Sequence, residues 1–278
     1  MQARAVTSID DRVIGGTLRL HAVAIYAFLY LPIIVVVFFA FNESRLVQVW
    51  QGFSLKWFGE AWRDETLRRA FLISLVTAAV NSLVATLLGT AAAIGLRNVA
   101  RRTHTLFDGF LYMTLITPEL VAAIASLMFF VTVGLPLGPV AIVITHSIFN
   151  TSVVALIVRA RLAGMDRSLE EGAADLGASR WSAFTDITLP QLFPAILAGA
   201  LLAFTFSFDD VVLSSFVSGP GSTTLPVEIF SQLRFGLSPK INVVAVVTLA
   251  ITLTLIVAAQ ILLRRGTKSA TSGAGIRP

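Results

Sequence analysis

Long apolar stretches alternate with short polar ones along this chain. Apolar residues fill 20–41, 70–96, 106–131, 139–158, 192–216 and 243–263 with few interruptions. Crossing the hydrocarbon of a bilayer takes about 20 residues of α-helix, and each stretch has that length. In hydrocarbon every backbone N–H and C=O must be paired within the segment, which favours helices over open strands. The pattern predicts an all-α polytopic membrane protein with six transmembrane helices over 20–263. It leaves a cytoplasmic segment at 1–19 and a polar, Gly/Ser-rich tail at 264–278 that is expected to be disordered. The first stretch is too long for a signal-peptide core, follows Asp10 and Asp11, and lacks a clear small-x-small cleavage site. It reads as a retained helix.

Composition agrees with this class. Hydrophobic residues make up 56% of the 278, and charged residues only 13%, against about 25% in soluble domains. Mean hydropathy is +0.82. With no cysteine, disulfides, thiolate metal sites and a Cys nucleophile are excluded. A net charge of +5 raises nucleic-acid binding, but the distribution of the basic residues argues against it. Of 21 Lys and Arg, fourteen fall in 1–19, 97–105, 159–191 and 264–278, and five of the other seven in 42–69. Basic residues concentrate on the cytoplasmic side of membrane proteins. Both termini and the loops 97–105 and 159–191 are therefore expected inside, and 42–69 outside. The outer loop carries Trp50, Trp57 and Trp62, which suit a lipid–water interface or a docking surface for an outside partner.

Three acids interrupt the apolar runs. In LITPEL (115–120) Pro118 removes a backbone donor and must kink or break the third helix. Thr117 then reads as N-cap, Pro118 as N1 and Glu119 as a first-turn acid. In FTFSFDDVVLSSF (204–216) Asp209 and Asp210 are adjacent. A carboxylate at mid-membrane costs about 2.5–3.5 kcal/mol on insertion scales, so it needs a reason. A rise of about 1.5 Å per residue places all three acids in the outer half of the membrane. Ser207, Asp210 and Ser214 fall at i, i+3 and i+7, one polar stripe directed into the bundle. Asp209 lies on a more apolar face with Thr205. The plain roles are local: Glu119 complementing a helix dipole, Asp210 bonded to a serine or a helix terminus, Asp209 capping a helix. The functional reading is a substrate pathway in which Asp210 and Glu119 pair with a cation and Asp209 supports them. His146 reads as a hydrogen-bonded helix residue. An intramembrane enzyme fits poorly, because His21, His104 and His146 are far apart and neither H-E-x-x-H nor G-x-S-x-G occurs.

The inner loop at about 159–191 is patterned. Ser168-x-x-Glu171 reads as a capping box, and Leu169, Ala173 and Leu176 share one helical face. Gly177 is placed to stop the helix in the left-handed conformation. A second short helix is expected near 179–185, before Pro190 and Pro194 lead into the fifth span. Such a half-apolar helix either caps its own bundle or docks into a partner's groove.

Glu171-Gly172-Ala173, three residues, Gly177, nine residues, then Ile187-x-Leu189-Pro190 resembles E-A-A-x-x-x-G-x9-I-x-L-P. That signature marks the membrane permease subunits of binding-protein-dependent ABC importers. Gly172 departs from it. TPEL (117–120), FDDVV (208–212) and the segments 41–58 and 213–245 are similar to the spermidine/putrescine permeases of that family. The resemblance implies a multi-pass protein of the bacterial cytoplasmic (inner) membrane. Its implied partners are a second homologous permease, two copies of a cytoplasmic ATPase and an extracytoplasmic polyamine-binding protein. It makes the helix of Glu171, Gly172, Ala173 and Gly177, with Leu189 and Pro190, the coupling segment seated in the ATPase. ATP and Mg would be bound there, with no cofactor or metal in this chain, which would be a transport subunit rather than an enzyme. No G-x-x-x-x-G-K-[ST] loop is present. Glu119, Asp209 and Asp210, with Ser207 and Ser214, would form the substrate pathway, and three acids suit a polycation better than an anion. The competing readings are a related importer for another small solute and a self-contained secondary transporter or channel. The latter leaves the coupling segment unexplained.

Overall fold

A computed structural model describes residues 7–46, 49–235 and 238–272. The helices are α1 (Thr7–Ala40), α2 (Lys56–Arg63), α3 (Glu65–Gly95), α4 (Arg101–Ile116), α5 (Glu119–Val133) and α6 (Pro139–Ala163). They continue with α7 (Ser168–Asp175), α8 (Arg180–Ala183), α9 (Leu189–Phe208), α10 (Val212–Val217), α11 (Leu225–Phe235) and α12 (Pro239–Ser272). Among the described residues there is no strand, only an isolated bridge between Asn42 and Phe53. Among the described residues four helices are long and apolar enough to cross a membrane, or up to five if α4 and α5, bent by 104° at their junction, form one broken span.

Two of the expected spans are discontinuous. Thr117 does not cap α5. Its hydroxyl donates back to Met113 O at 2.7 Å and closes α4, so Pro118 stands alone at the start of α5. The fifth stretch ends as α9 at Phe208, and a separate short helix, α10, begins at Val212. At the C-terminus α12 continues through Ser272, into the segment expected to be a disordered tail. Residues 273–278 of that tail, and 1–6 of the N-terminal segment, lie outside the described residues.

The chain divides into two compact units. In the first, Met1–Arg63 with Gly236–Ala250, Asn42 organises the loop after α1. Its Nδ2 donates to Val49 O at 2.7 Å, while its Oδ1 accepts from the backbone N–H of Ser44 and Gln51. Trp57 packs with Ala40 and Val243 in a small core, so it is not a free interfacial aromatic. Trp50 and Trp62 are exposed.

The second unit is Asp64–Phe235 with Ile251–Pro278. Its centre is the packing of α3, α6 and α9 through Ala85, Ala93, Val154, Val158, Leu192 and Ala203. Helices in lipid gain little from hydrophobic exclusion, so small residues and interhelical hydrogen bonds hold them. Gly89 shows the first device: a Cβ there would lie 2.7 Å from Val154 Cβ and 2.8 Å from Thr151 O. Asn81 and Ser82 show the second, donating to Ala203 O at 3.1 Å and Ala200 O at 2.7 Å. The helices that flank the two breaks, α4, α5 and α10, pack against α6 of this trio.

Candidate functional site

Both breaks open on one cavity of about 840 Å³. Its wall includes Thr114–Glu119 of the α4–α5 junction, Thr145, His146, Phe149 and Asn150 of α6, and Phe206, Asp209 and Asp210 at the α9–α10 junction. The C-terminal ends of α4 and α9 and the N-terminal ends of α5 and α10 all border this region. The partial charges of the two C-termini and the two N-termini oppose one another, so the three carboxylates give the space its acidic character.

The three acids have different surroundings. Asp210 is 8% exposed. Its Oδ2 lies 3.1 Å from His146 Nε2 and accepts from Ser214 N at 2.7 Å, while Oδ1 accepts from Leu213 N at 3.3 Å. It thus caps the first turn of α10 and pairs with His146. An ionised carboxylate only accepts hydrogen bonds, so Nε2 carries a proton. His146, 2% exposed, is fixed at its other nitrogen by Ser207 Oγ at 2.7 Å, and Ser214 Oγ lies 3.3 Å from Nε2. The stripe of Ser207, Asp210 and Ser214 therefore converges on His146 even though the helix does not continue. The two serines are buried behind the cavity wall rather than on it. Glu119 and Asp209 are exposed to the cavity, and Glu119 interacts with Asp210 through its side chain. Asp209 is also the residue that closes α9.

His146 is the hydrogen-bonded helix residue that the sequence suggested, and reading along the chain left only its partners open. Its one local signal is that it is the sole ionisable side chain in 139–158.

The inner loop is built much as its sequence suggests. Gly177 has φ +82°, and Ala178 N donates to Ala173 O at 2.9 Å, closing α7 in the left-handed turn that glycine favours. The start differs. Asp166 Oδ1 accepts from Ser168 N at 2.9 Å, so Asp166 supplies the cap and Ser168 is already helical. Leu176 is 91% exposed, and Leu169 and Trp181 are also uncovered. Glu171 is exposed. Its neighbour Glu170 makes the structural contacts instead: Oε1 accepts from Arg97 Nη1 at 2.7 Å and from Thr188 Oγ1 at 2.6 Å. The Arg97 hydrogen bond, followed by that of Thr188, holds the Glu170 carboxyl below its ordinary value of 4.5 against the opposing effect of burial. This clamp joins α7 to the end of α3 and to the turn that leads into α9. Leu189 and Pro190 form the first turn of α9.

Paired helix breaks around an acid-lined cavity in an apolar bundle are features of membrane transport proteins. The chain matches the family of binding-protein-dependent transport system inner membrane components over residues 85–268, and it belongs to that family. It is 42% identical over 233 residues to the putrescine transport system permease protein PotI of Escherichia coli (strain K12), covering 81% of this chain and 82% of the relative. It is 38% identical over 248 residues to the spermidine/putrescine transport system permease protein PotC of the same organism, covering 89% and 94%. Its fold is that of a chain in the crystal structure of a bacterial ABC transporter involved in the import of the acidic polysaccharide alginate. That likeness has a TM-score of 0.73 at 16% identity, over 92% of this chain and 96% of the other.

Proposed function

We propose that this chain is a transmembrane permease subunit of an ATP-driven importer and that it carries polyamines of the putrescine and spermidine kind. The observation that carries the substrate is the cavity. Glu119 and Asp209 present carboxylates to it, and among the described residues the only ion pair at the cavity is that of Asp210 with His146. Asp210 spends its charge on His146 and on α10. The ammonium groups therefore meet Glu119 and Asp209, while Asp210 fixes the shape of the break. Ser207 and Ser214 hold His146 and act at one remove. Phe149 and Phe206, with ring centroids 6.0 Å apart, stand in position for cation–π contact with a passing amine. The relatives named for putrescine and spermidine support the same substrate.

The remainder follows the family resemblance. The chain crosses the inner membrane six times, with α4–α5 as one broken span, α9–α10 as another and α12 as the last, and both termini lie in the cytoplasm. A second permease completes the pathway, and an extracytoplasmic binding protein delivers the substrate. Two copies of an ATPase hold ATP and Mg, and receive the exposed Leu169, Leu176 and Trp181 face beside Glu171, Gly172, Ala173 and Gly177. The test is putrescine uptake into proteoliposomes carrying the assembled importer. Replacing both cavity-facing carboxyls with Glu119→Gln and Asp209→Asn should lower uptake by about tenfold or more, since about 1.4 kcal/mol of lost pairing is a factor of ten. Uptake equal to wild type would show that these acids do not meet the substrate.

A further inference from the structure

A second cavity, of about 440 Å³, lies toward the opposite ends of α4 and α6, where α3 finishes. Its wall holds Arg97, Arg159, Arg167 and His104, and no carboxylate. The acids stand behind it. Arg159 donates to Asp108, and through Nη2 to His104 Nε2 at 3.2 Å. A guanidinium only donates, so the ring proton sits on Nδ1, 3.1 Å from the same Asp108. Arg97 is held by Glu170. A guanidinium has five N–H groups in a rigid fork, so a bond to one acid aims the fork and leaves donors unused. Two oriented forks and the exposed Arg167 thus share one space, whose basic wall disfavours a cation. The rest of the wall is apolar, including Leu156, and Tyr112 is half exposed at its edge.

We propose that this cavity binds a phosphate-bearing anion, and that its occupant is the headgroup of an anionic phospholipid. A phosphate takes the donors that the arginines leave free. The apolar wall and Tyr112 accept the glycerol and the first carbons of the acyl chains, for which a free anion has no use. The placement rests on the orientation given above, in which 97–105 and 159–167 face the cytoplasm at the level of the inner headgroups. Basic pockets between membrane helices at that level attract anionic lipid.

The experiment is native mass spectrometry of the purified, delipidated full-length chain titrated with phosphatidylglycerol or phosphatidylcholine. Phosphatidylglycerol should be retained preferentially. Arg167→Gln should weaken that retention about fivefold, at about 1 kcal/mol per basic residue near a headgroup. Arg159→Lys keeps a cation beside Asp108 but loses the fork, and it too should weaken retention. Equal binding of the two lipids, or phosphatidylglycerol retention unchanged in both variants, overturns the proposal. Inorganic phosphate alone at millimolar concentration is the second arm. If it binds as tightly as phosphatidylglycerol, the occupant is a free anion and the lipid assignment fails. Lipid retention needs no transport, so its failure leaves the polyamine reading intact, and loss of that reading leaves this result intact.

Discussion

Asp209 and Asp210 are neighbours whose carboxylates meet opposite conditions. Asp210 is buried and surrounded by donors from His146, Leu213 and Ser214, whereas Asp209 faces open space. Removing the donor to a buried carboxylate leaves that acceptor unsatisfied, at a cost of about 1–3 kcal/mol or more. His146→Ala should therefore lower the thermal unfolding midpoint of the purified protein clearly, while Asp209→Asn should leave it where it is. A His146→Ala midpoint equal to wild type would mean that Asp210 does not depend on the imidazole. Glu170 allows a pH test. Its carboxyl is depressed chiefly by the Arg97 hydrogen bond. A depressed carboxyl stabilises the folded form fully above its ordinary value and loses that contribution as pH falls through the folded-state value. The attachment of α7 should thus be constant from neutral pH down to the region of the ordinary value of 4.5 and loosen as pH falls below it. Protease sensitivity of the 164–180 loop would report it, and Arg97→Gln should remove the transition.

At the scale of elements, the contact of α3 with α6 depends on Gly89 lacking a side chain. A Cβ 2.7 Å from that of Val154 and 2.8 Å from a backbone oxygen has no room. Overpacking of this kind costs about 1–3 kcal/mol, so Gly89→Val should reduce the amount of folded protein and its melting midpoint. Gly172 is the contrast. Nothing lies within 4 Å of a Cβ built there, and alanine is favoured over glycine in a helix by up to about 1 kcal/mol. Gly172→Ala should leave α7 as stable or more so. The joining of α7 to α3 can be tested by exchange of charges. Arg97→Glu and Glu170→Arg should each impair putrescine uptake by the assembled importer, and the double variant should regain part of it. A double variant no better than either single one would show that the pair is not what links these elements.

For the whole molecule, the division of basic residues predicts that Lys56 and the chain's end lie on opposite sides of the membrane. Compartment-sensitive reporters fused at Lys56 and after Pro278 should give opposite signals. Matching signals would overturn the orientation or the number of crossings. The breaks at Pro118 and at Asp209–Val211 bear on that count, since a 104° bend makes α4–α5 either one broken span or a re-entrant turn. The length of an apolar run does not distinguish the two.

Apolar length set where helices form, because a segment in lipid must satisfy its own backbone. Gly177 and Pro118 set where two of them end, because φ preference and a missing N–H act within a few residues. That the three acids border one cavity depended on packing, because it needed two breaks in different helices to meet. Which aspartate would be free also depended on packing, since it turned on His146, 64 residues from Asp210 in sequence. The choice between Glu170 and Glu171 was likewise open along the chain. Adjacent helical positions point about 100° apart, and only the approach of Arg97 and Thr188 decided which one became the clamp. Backbone conformation is encoded locally, whereas a side chain's partner is chosen by how helices distant in sequence pack together.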